Sequence, residues 1–464
     1  MSAPDVLVIG AGPGGCVAAI EHAQRGHRVW LCEAKPNAAE RRLGGEWMHN
    51  TGRLLLDELG VDLSGAHEGE GFVVHPGDAS DGIVLPYVQP ELGPVGRILH
   101  RDSTLPSAAR GFSWEHADLV ERIRERAQAQ PGVHYHPHAR VSLELREDTG
   151  ELDARVDFRD GRSQTVRPDR IVDASGKAGI GRRALGIVDP IETVSVSRMI
   201  GLELLDVEVP TIGYGHVFLG GPGPMLMYRI REHSVRVIVD IPSWFAAGRK
   251  PTHEELATAW GNTLPGPLAH AFERALREGQ GKWVNVGVRV RANYGHDRLA
   301  LLGDAVGHYH PLTAAGMTNA VLDARSLAQH ESVEGYARER TRTSKSAGLL
   351  GVALYDMFSR PEPESARMRA ALYERWRKDP KERRRTMGYL GMGDQRVTAF
   401  MSSYIKVVTG GFAGARPGER IEAVRQSANF IQNRVPWLLK SFGAKTAVGG
   451  VMVPQHAEAP AQAA

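Results

Sequence analysis

The chain has 464 residues, of which 42% are apolar and 24% charged, so it can bury a large core and is too long for a single small module. The formal net charge of +3 is too weak to indicate a nucleic-acid partner, and we expect none. The two cysteines, Cys16 and Cys32, have no metal-ligand spacing, so we predict a reducing, cytoplasmic setting without structural zinc.

The N-terminal segment "DVLVIGAGPGGCVAAIEHAQRGHRVWLCEA" has the pattern of a strand, a helix and a second strand. A continuous apolar run predicts a buried strand over residues 6–9, and an amphipathic helix is predicted over residues 16–24. The second strand is predicted to end at Glu33. This order is typical of a βαβ unit.

A glycine-rich turn joins the first strand to the helix, and Gly14 lies within it. Gly10, Gly12 and Gly15 have GxGxxG spacing, which permits a tight turn, close approach to a pyrophosphate and close packing of helix on strand. Glu33 follows roughly 20 residues later, where a carboxylate can accept hydrogen bonds from ribose hydroxyls. The unit predicts a site for FAD or NAD rather than NADP, and the alternative is a glycine-rich turn of another α/β fold.

Alternation of apolar and polar residues from about Glu192 to Trp283 predicts a sheet with hairpin turns that caps the cofactor. Its strongest stretch is "HVFLGGPGPMLMYRIREHSVRVIVDIP". Each candidate substrate-binding residue could equally be ordinary sheet core; the candidates are Leu219, Met225, Met227 and Tyr228.

The later segment "DRLALLGDAVGHYHPLTAAGMTNAVLDARSLAQ" predicts a second strand, turn and helix, with the helix starting near Ala314. An NAD dehydrogenase has no obvious use for it, whereas a flavin has ribityl hydroxyls that Asp304 can accept from. A helix N-terminus near Gly316 and Met317 would face the ring where negative charge develops on reduction. We predict that no metal binds here and that His310 braces the turn.

Basic residues outnumber acidic ones between Arg338 and Arg385. This predicts either a solvated helical face or a patch that docks an anionic membrane surface or an acidic reductase. The amphipathic segment at residues 430–443 could close the pocket or touch a bilayer, and residues 454–464 are predicted to be disordered. No apolar run reaches the roughly 18 residues of a membrane span.

The two cofactor motifs together resemble those of FAD-dependent monooxygenases, and "GDAVGHYHPLTAAGMT" is similar specifically to the squalene epoxidase (squalene monooxygenase) signature. The resemblance covers residues 5 to about 360 and includes "RRLGGEWMHNTGRLLLDELGV", "GPMLMYRI", "VRVIVDIP" and "ALYDMF". It implies FAD contacts at Glu33, Arg42, Val141, Asp304 and Met317. Arg42 suits a phosphate or ribose neighbour as a cation, or it is one of an exposed arginine pair.

The resemblance implies an α/β fold with an FAD-binding, Rossmann-type domain of the glutathione-reductase-like class. We expect this domain over residues 1–75, 95–185 and 285–335. A β-sheet substrate domain over residues 76–94 and 186–284 is interleaved with it, and a C-terminal helical region follows over residues 336–453.

Three departures from the family pattern bear on chemistry. His49 replaces a glutamine near the flavin, where it can hydrogen-bond Tyr87 as a candidate catalytic pair or serve as a satisfied interior histidine. His116 stands where an arginine usually contacts the cofactor. "DASG", residues 173–176, replaces an Asp-Gly motif and is closer to flavin halogenases and geranylgeranyl reductases, so electrons from NAD(P)H are expected through a separate reductase.

The function implied is an FAD-dependent monooxygenase that epoxidises or hydroxylates a hydrophobic secondary metabolite, prenylated or polycyclic, through a flavin C4a-hydroperoxide. Its partners would be that substrate, molecular oxygen and a reductase, with peripheral membrane contact. The alternatives are a flavin-dependent reductase of prenyl double bonds and a non-catalytic flavoprotein.

Overall fold

The computed structural model describes residues 3–36, 44–87, 110–146, 151–187 and 194–413, together with residues 421, 422 and 425. Arg42 lies outside the described residues, as do the amphipathic segment at 430–443 and the tail at 454–464. The predictions made for them stay predictions.

Strands outnumber helices in the described residues up to residue 301. They are β1 (Val6–Ile9), β2 (Val29–Glu33), β3 (Trp47–Met48), β4 (His67–Gly69), β5 (Gly71–His75), β6 (Ile83–Pro86), β7 (Gly111–Ser113), β8 (Val133–Pro137), β9 (Arg140–Leu145), β10 (Leu152–Asp157), β11 (Ser163–Val166), β12 (Arg170–Asp173), β13 (Val194–Leu205), β14 (Tyr214–Phe218), β15 (Met225–Arg231), β16 (Ser234–Pro242), β17 (Lys282–Val288), β18 (Gly295–His296) and β19 (Leu299–Leu301).

From Gly316 onward, helices follow one another in the described residues without a strand between them. The α-helices of the described residues are α1 (Pro13–Gln24), α2 (Asn50–Glu58), α3 (His116–Gln128), α4 (Ile180–Ala184), α5 (His253–Gly261), α6 (Gly266–Arg277), α7 (Gly316–Gln329), α8 (Val333–Thr343), α9 (Lys345–Phe358), α10 (Pro363–Lys378), α11 (Pro380–Leu390) and α12 (Val397–Ala413). Within the described residues, no helix combines the length and the apolar character needed to cross a membrane.

A six-stranded sheet in the order β18-β19-β12-β1-β2-β8 forms the first domain, and its strands are parallel except for β18. Strands β1 and β19 are wholly buried, as expected of a parallel sheet covered on both faces. Because β1, β12 and β19 are parallel neighbours, the turns after them meet at one edge of the sheet. Two motifs almost 300 residues apart in the chain therefore face each other.

Both predicted helix starts need a small correction. Helix α1 begins at Pro13 rather than residue 16, because proline has the backbone angle of a first helical turn and its missing N–H is not needed there. Helix α7 begins at Gly316 rather than Ala314, because Ala314 has a left-handed φ of +50° that ends the preceding turn.

A seven-stranded sheet in the order β17-β13-β16-β15-β14-β5-β6 forms the second domain. Strand β5 pairs in parallel with β14, and β17 pairs along its whole length with β13. The predicted boundaries at residues 75 and 284 are therefore wrong: hydrogen bonding places residues 71–75 and 282–288 in this sheet. Long-range strand pairing decides the boundary, and local sequence does not encode it.

The two faces of the seven-stranded sheet pack against different partners. One face packs against α5 and α6, where Trp260 and Phe272 are fully buried. The other shares a core with α9 to α12, through residues such as Leu350 and Phe400. The architecture confirms the predicted α/β fold with a Rossmann-type domain, an interleaved sheet domain and a helical region.

Candidate active site

A cavity of about 570 Å³ lies between the two domains and receives residues from three places. The glycine turn after β1 and the turn after β19 form one end, and the open face of the seven-stranded sheet forms the other. The two motifs that the sequence singled out therefore share one cavity, as expected for two halves of a cofactor site.

The first turn has the geometry of a phosphate cradle. Gly10 has a φ of +100°, and a Cβ at Gly15 would lie 1.9 Å from the Gly10 carbonyl oxygen, so only glycine fits there. A Cβ at Gly12 would meet nothing within 4 Å, and Gly12 lines the cavity together with Gly14. Helix α1 has no side-chain cap, so its first amides are donors for an anion in this space.

Glu33 is fixed beside this turn at the end of β2. Its two carboxylate oxygens accept hydrogen bonds from the backbone amides of Ala11, at 2.9 Å, and Lys35, at 2.8 Å. Glu33 does not line the cavity itself. Val141 lies on β9 of a separate three-stranded sheet, half-buried against the core of the first domain and also outside the cavity lining.

A buried arginine near the first turn was not predicted from the sequence. His116 lines the cavity, but its Nδ1 donates to the Gly45 carbonyl oxygen at 2.6 Å. Two turns further along the same helix, Arg124 is 6% exposed and donates to the Ala11 carbonyl oxygen at 3.3 Å. The i to i+8 spacing from His116 is the signal that could have pointed to Arg124 as the local cation.

The second turn carries Asp304 into the cavity, within a 3₁₀ turn over Gly303–Ala305. Arg291 fixes this turn, because its guanidinium donates to the carbonyl oxygens of Gly303, at 3.0 Å, and Gly307, at 3.1 Å. Arg291 is buried and pairs at 2.5 Å with Asp323 of α7, whose carboxylate also accepts from the Gly303 amide at 2.9 Å. No local sequence pattern predicts this brace, because its members are far apart in the chain.

The N-terminus of α7 closes the cofactor end of the cavity. Gly316 and Met317 line it, and the helix has no side-chain cap. The partial positive charge of a helix N-terminus therefore faces the cavity, where it would stabilise negative charge on a bound ring. This is the position that the sequence predicted for Met317.

His310 braces the second turn, as predicted. Its Nδ1 accepts from the Leu312 amide at 3.2 Å, so Nε2 carries the proton and donates to Asp240 Oδ1 at 3.1 Å. The Ser197 hydroxyl donates to the same oxygen at 2.5 Å, and Tyr355 stacks on the imidazole with ring centroids 4.1 Å apart. Among the described residues, no group of three or more His, Cys, Asp or Glu side chains could hold a metal ion.

The predicted hydrogen bond between His49 and Tyr87 is present. The Tyr87 hydroxyl donates to His49 Nδ1 and accepts from Trp47 Nε1 at 3.0 Å, while His49 Nε2 donates to the Thr313 carbonyl oxygen at 2.8 Å. Burial lowers the pKa of His49 to about 4, although the bond to Thr313 opposes this. His49 is thus a neutral interior histidine that holds the second turn from behind the cavity wall.

The substrate end of the cavity is mainly apolar. It is lined by Met199, Leu226, Tyr228, Ile238, Val284 and Val286. Of the four predicted substrate residues, Tyr228 lines the cavity and Leu219 belongs to the core of the same face without lining it. Met225 and Met227 were assigned wrongly: they are fully buried on the opposite face with Trp260. Side chains alternate along a strand, so Leu226 and Tyr228 take the cavity face.

A buried ion pair supports this wall. Glu46 is fully buried and accepts from the Tyr228 hydroxyl at 3.0 Å and from Arg236 Nε at 2.9 Å. Burial raises the pKa of Glu46, and the Arg236 guanidinium opposes that rise. The hydroxyl of Tyr228 is therefore already hydrogen-bonded within the protein.

In the "DASG" stretch, the carboxylate of Asp173 points away from the cavity. The buried Asp173 carboxylate accepts from the backbone amides of Ser175, at 3.0 Å, and Gly181, at 2.7 Å. Gly176 and Lys177 line the cavity instead.

Two family models match the chain. One described as FAD dependent oxidoreductase matches residues 5–186, and one described as squalene epoxidase matches residues 182–409. Squalene epoxidase of Aspergillus fumigatus is 29% identical over 377 residues, which are 76% of this chain and 75% of that protein. Mitochondrial squalene epoxidase 2 of Arabidopsis thaliana is 29% identical over 398 residues, 80% of this chain but only 64% of that protein.

Solved structures share the fold at lower identity. A probable FAD-dependent monooxygenase of Pseudomonas aeruginosa is 22% identical, with a TM-score of 0.61 over 77% of this chain and 97% of that chain. p-Nitrophenol 4-monooxygenase of Pseudomonas putida is 17% identical, with a TM-score of 0.68 over 85% of this chain and 99% of that chain.

Proposed function

Because the chain belongs to the squalene epoxidase-like FAD-dependent monooxygenases, we propose that it transfers one oxygen atom of O₂ to a hydrophobic secondary metabolite, by epoxidation or hydroxylation. The observation that carries this proposal is the shared cavity: two cofactor turns at one end and an apolar sheet face at the other. The route through reduced flavin and O₂ is the one that the resemblance implies.

The residues at the cofactor end of the cavity suit the pyrophosphate, the ribityl chain and the ring of FAD. We assign the pyrophosphate to the turn at Gly12 and Gly14. We place the adenosine ribose next to Glu33, which adjoins this turn just outside the cavity lining. Asp304 would accept from the ribityl hydroxyls, and the first amides of α7 at Met317 would face the ring. The space over Gly12, which no protein atom fills, supports this assignment. When bound, FAD supplies the electron transfer and the reaction with oxygen.

The protein's own part in the reaction is to orient an apolar substrate and to keep water away from the reacting atoms. Two polar groups beside the apolar wall are already paired, Tyr228 with Glu46 and His310 with Asp240. The wall therefore offers the substrate mostly hydrocarbon surface, which favours a prenylated or polycyclic compound.

We further propose that electrons come from NAD(P)H through a separate reductase. The inward orientation of Asp173 supports this, because its carboxylate is satisfied by backbone amides rather than exposed to a second nucleotide. We also propose that the enzyme is cytoplasmic and that its helical region contacts a membrane surface peripherally.

Oxygen-18 gas tests the reaction class. The FAD-loaded enzyme, a reductase and NADPH are supplied with candidate alkenes under labelled O₂, and the product is examined by mass spectrometry. One labelled oxygen atom per product is expected. Saturation of the alkene without label would instead identify a prenyl reductase, and flavin binding without ligand-dependent oxygen uptake would identify a non-catalytic flavoprotein.

A further inference from the structure

The substrate end of the cavity contains one charged side chain that a pure hydrocarbon would leave unused. Lys282 begins β17, the edge strand of the seven-stranded sheet, and it lines the cavity. Its side chain is exposed, and it has no hydrogen-bond or ion-pair partner in the part of the chain that the structure describes. Its ammonium group is therefore available to a ligand.

The sheet register places Lys282 in line with the apolar wall. Gly201 of β13 pairs with Lys282 on one side and with Ile238 on the other, and Ile238 pairs in turn with Leu226. Because Gly201 has no side chain, none stands between Lys282 and Ile238 in this row. Adjacent strands are about 4.8 Å apart, so the two residues are separated by about 10 Å, which a ligand lying on the wall can span.

Other charged or ionisable groups of the cavity lining are paired within the protein or lie at the cofactor end. Arg291 is paired with Asp323, and His310 with Asp240. Lys177 also lacks a partner among the described residues, but it follows Gly176 at the cofactor turns. Lys282 is thus the charge that remains for the substrate.

We propose that the substrate is amphipathic, with an apolar chain or ring system that ends in a carboxylate. Lys282 holds the carboxylate at the sheet edge, while the apolar part lies on Ile238 and Leu226 and extends toward the cofactor end. A lone ammonium suits one carboxylate as a point charge, whereas phosphates more often recruit arginine forks or several donors. This inference rests on the proposed oxygenase function and specifies its substrate class.

A matched pair of ligands tests the charge without turnover. The FAD-loaded enzyme is titrated with farnesoic acid and with farnesol, which share one hydrocarbon chain, and binding is followed by the change in flavin absorbance. At low salt and at a pH where the acid is ionised, the acid is expected to bind about fivefold more tightly than the alcohol. This preference should shrink as salt is added.

Three variants identify the residue responsible. Lys282→Met should abolish the preference because the acid loses its ammonium partner, while Lys282→Arg should keep the preference. Lys250→Met removes a nearby cation that lies 4.5 Å from the Trp283 ring centroid, and it should also keep the preference. Equal binding of both ligands to the wild-type enzyme, binding of neither, or a preference that survives in Lys282→Met would overturn the proposal. Failure of the oxygen-18 experiment would leave this titration unaffected, so the two proposals fail separately.

Discussion

His310 Nε2 donates to Asp240 Oδ1 at 3.1 Å, and this contact joins the turn before α7 to the interior strand β16 of the other domain. Asp240 is 2% exposed and also accepts from Ser197. The carboxylate therefore sets the position of the cofactor turn relative to the substrate wall.

Asp240→Ala should destabilise the fold and weaken flavin binding. It leaves the donors of Ser197 and His310 buried without an acceptor, which costs about 1–3 kcal/mol of unfolding free energy, measured by chemical denaturation. Asp240→Asn keeps the acceptor oxygen and should stay closer to wild type. Asp160→Ala is the control, because that carboxylate pairs with Arg162 at the surface. Wild-type stability in Asp240→Ala would contradict the anchoring role.

Two glycine substitutions in the first turn should separate the stability of the protein from its binding of flavin. Gly15→Ala places a Cβ 1.9 Å from a backbone oxygen, so it should destabilise the protein by about 1–3 kcal/mol or prevent folding. Gly12→Ala has room for its Cβ within the protein and should fold normally, yet lose FAD because the methyl group enters the pyrophosphate space. Thermal unfolding and flavin content after gel filtration measure the two effects. Retention of flavin by Gly12→Ala would refute the phosphate assignment.

Asp304→Ala should lose flavin, whereas His308→Ala should keep it. Both residues line the cavity, but only Asp304 offers a carboxylate to the ribityl hydroxyls. A reduction in flavin affinity of about tenfold is expected for Asp304→Ala, corresponding to one charge-assisted hydrogen bond. Fluorescence titration of the apoprotein with FAD provides the value. Equal losses in the two variants would show that the turn, rather than the carboxylate, matters.

His49 makes stability depend on pH. Its pKa is about 4 in the folded protein and near 6.5 when unfolded, so the unfolded chain binds more protons between these values. The contribution is fully present above pH 6.5 and is lost as the pH falls toward 4, by about 3 kcal/mol in total. His49→Gln can still accept from Tyr87 and donate to Thr313, so it should flatten this slope. His216, with a pKa near 4 for the same reason of burial, continues to titrate. Denaturation curves across this range that are unchanged by His49→Gln would exclude the effect.

Leu226 and Met227 are neighbours on β15 whose substitutions should separate binding from stability. Leu226→Trp fills the cavity and should weaken farnesol binding about tenfold or more while FAD is retained, because the added ring occupies the apolar wall. Met227→Leu lies on the opposite face and conserves volume, so it should cost less than about 1.5 kcal/mol and leave binding unchanged. Weaker ligand binding in Met227→Leu alone would reverse the assignment of the two faces.

The sequence by itself determined the parts of the site that a short stretch of chain builds. The β1 strand, the glycine turn and Glu33 follow from local rules, because one helix and two strands bring them together within 30 residues. Asp304 and Met317 follow in the same way from the turn after β19 and the helix that succeeds it. The resemblance to a known family identified FAD as the cofactor. The parallel sheet explains why the turns after β1 and β19 meet.

Only the tertiary structure decided which face of each strand borders the cavity and which charges support it. Alternation along β15 defines two apolar faces, but the packing of α5 and α6 determines that Met227 lies beneath them and Leu226 does not. The brace of Arg291 on Asp323 and the register that aligns Lys282 with Ile238 join segments far apart in the chain. Such contacts depend on how complete elements pack, and residue patterns within one element do not encode them.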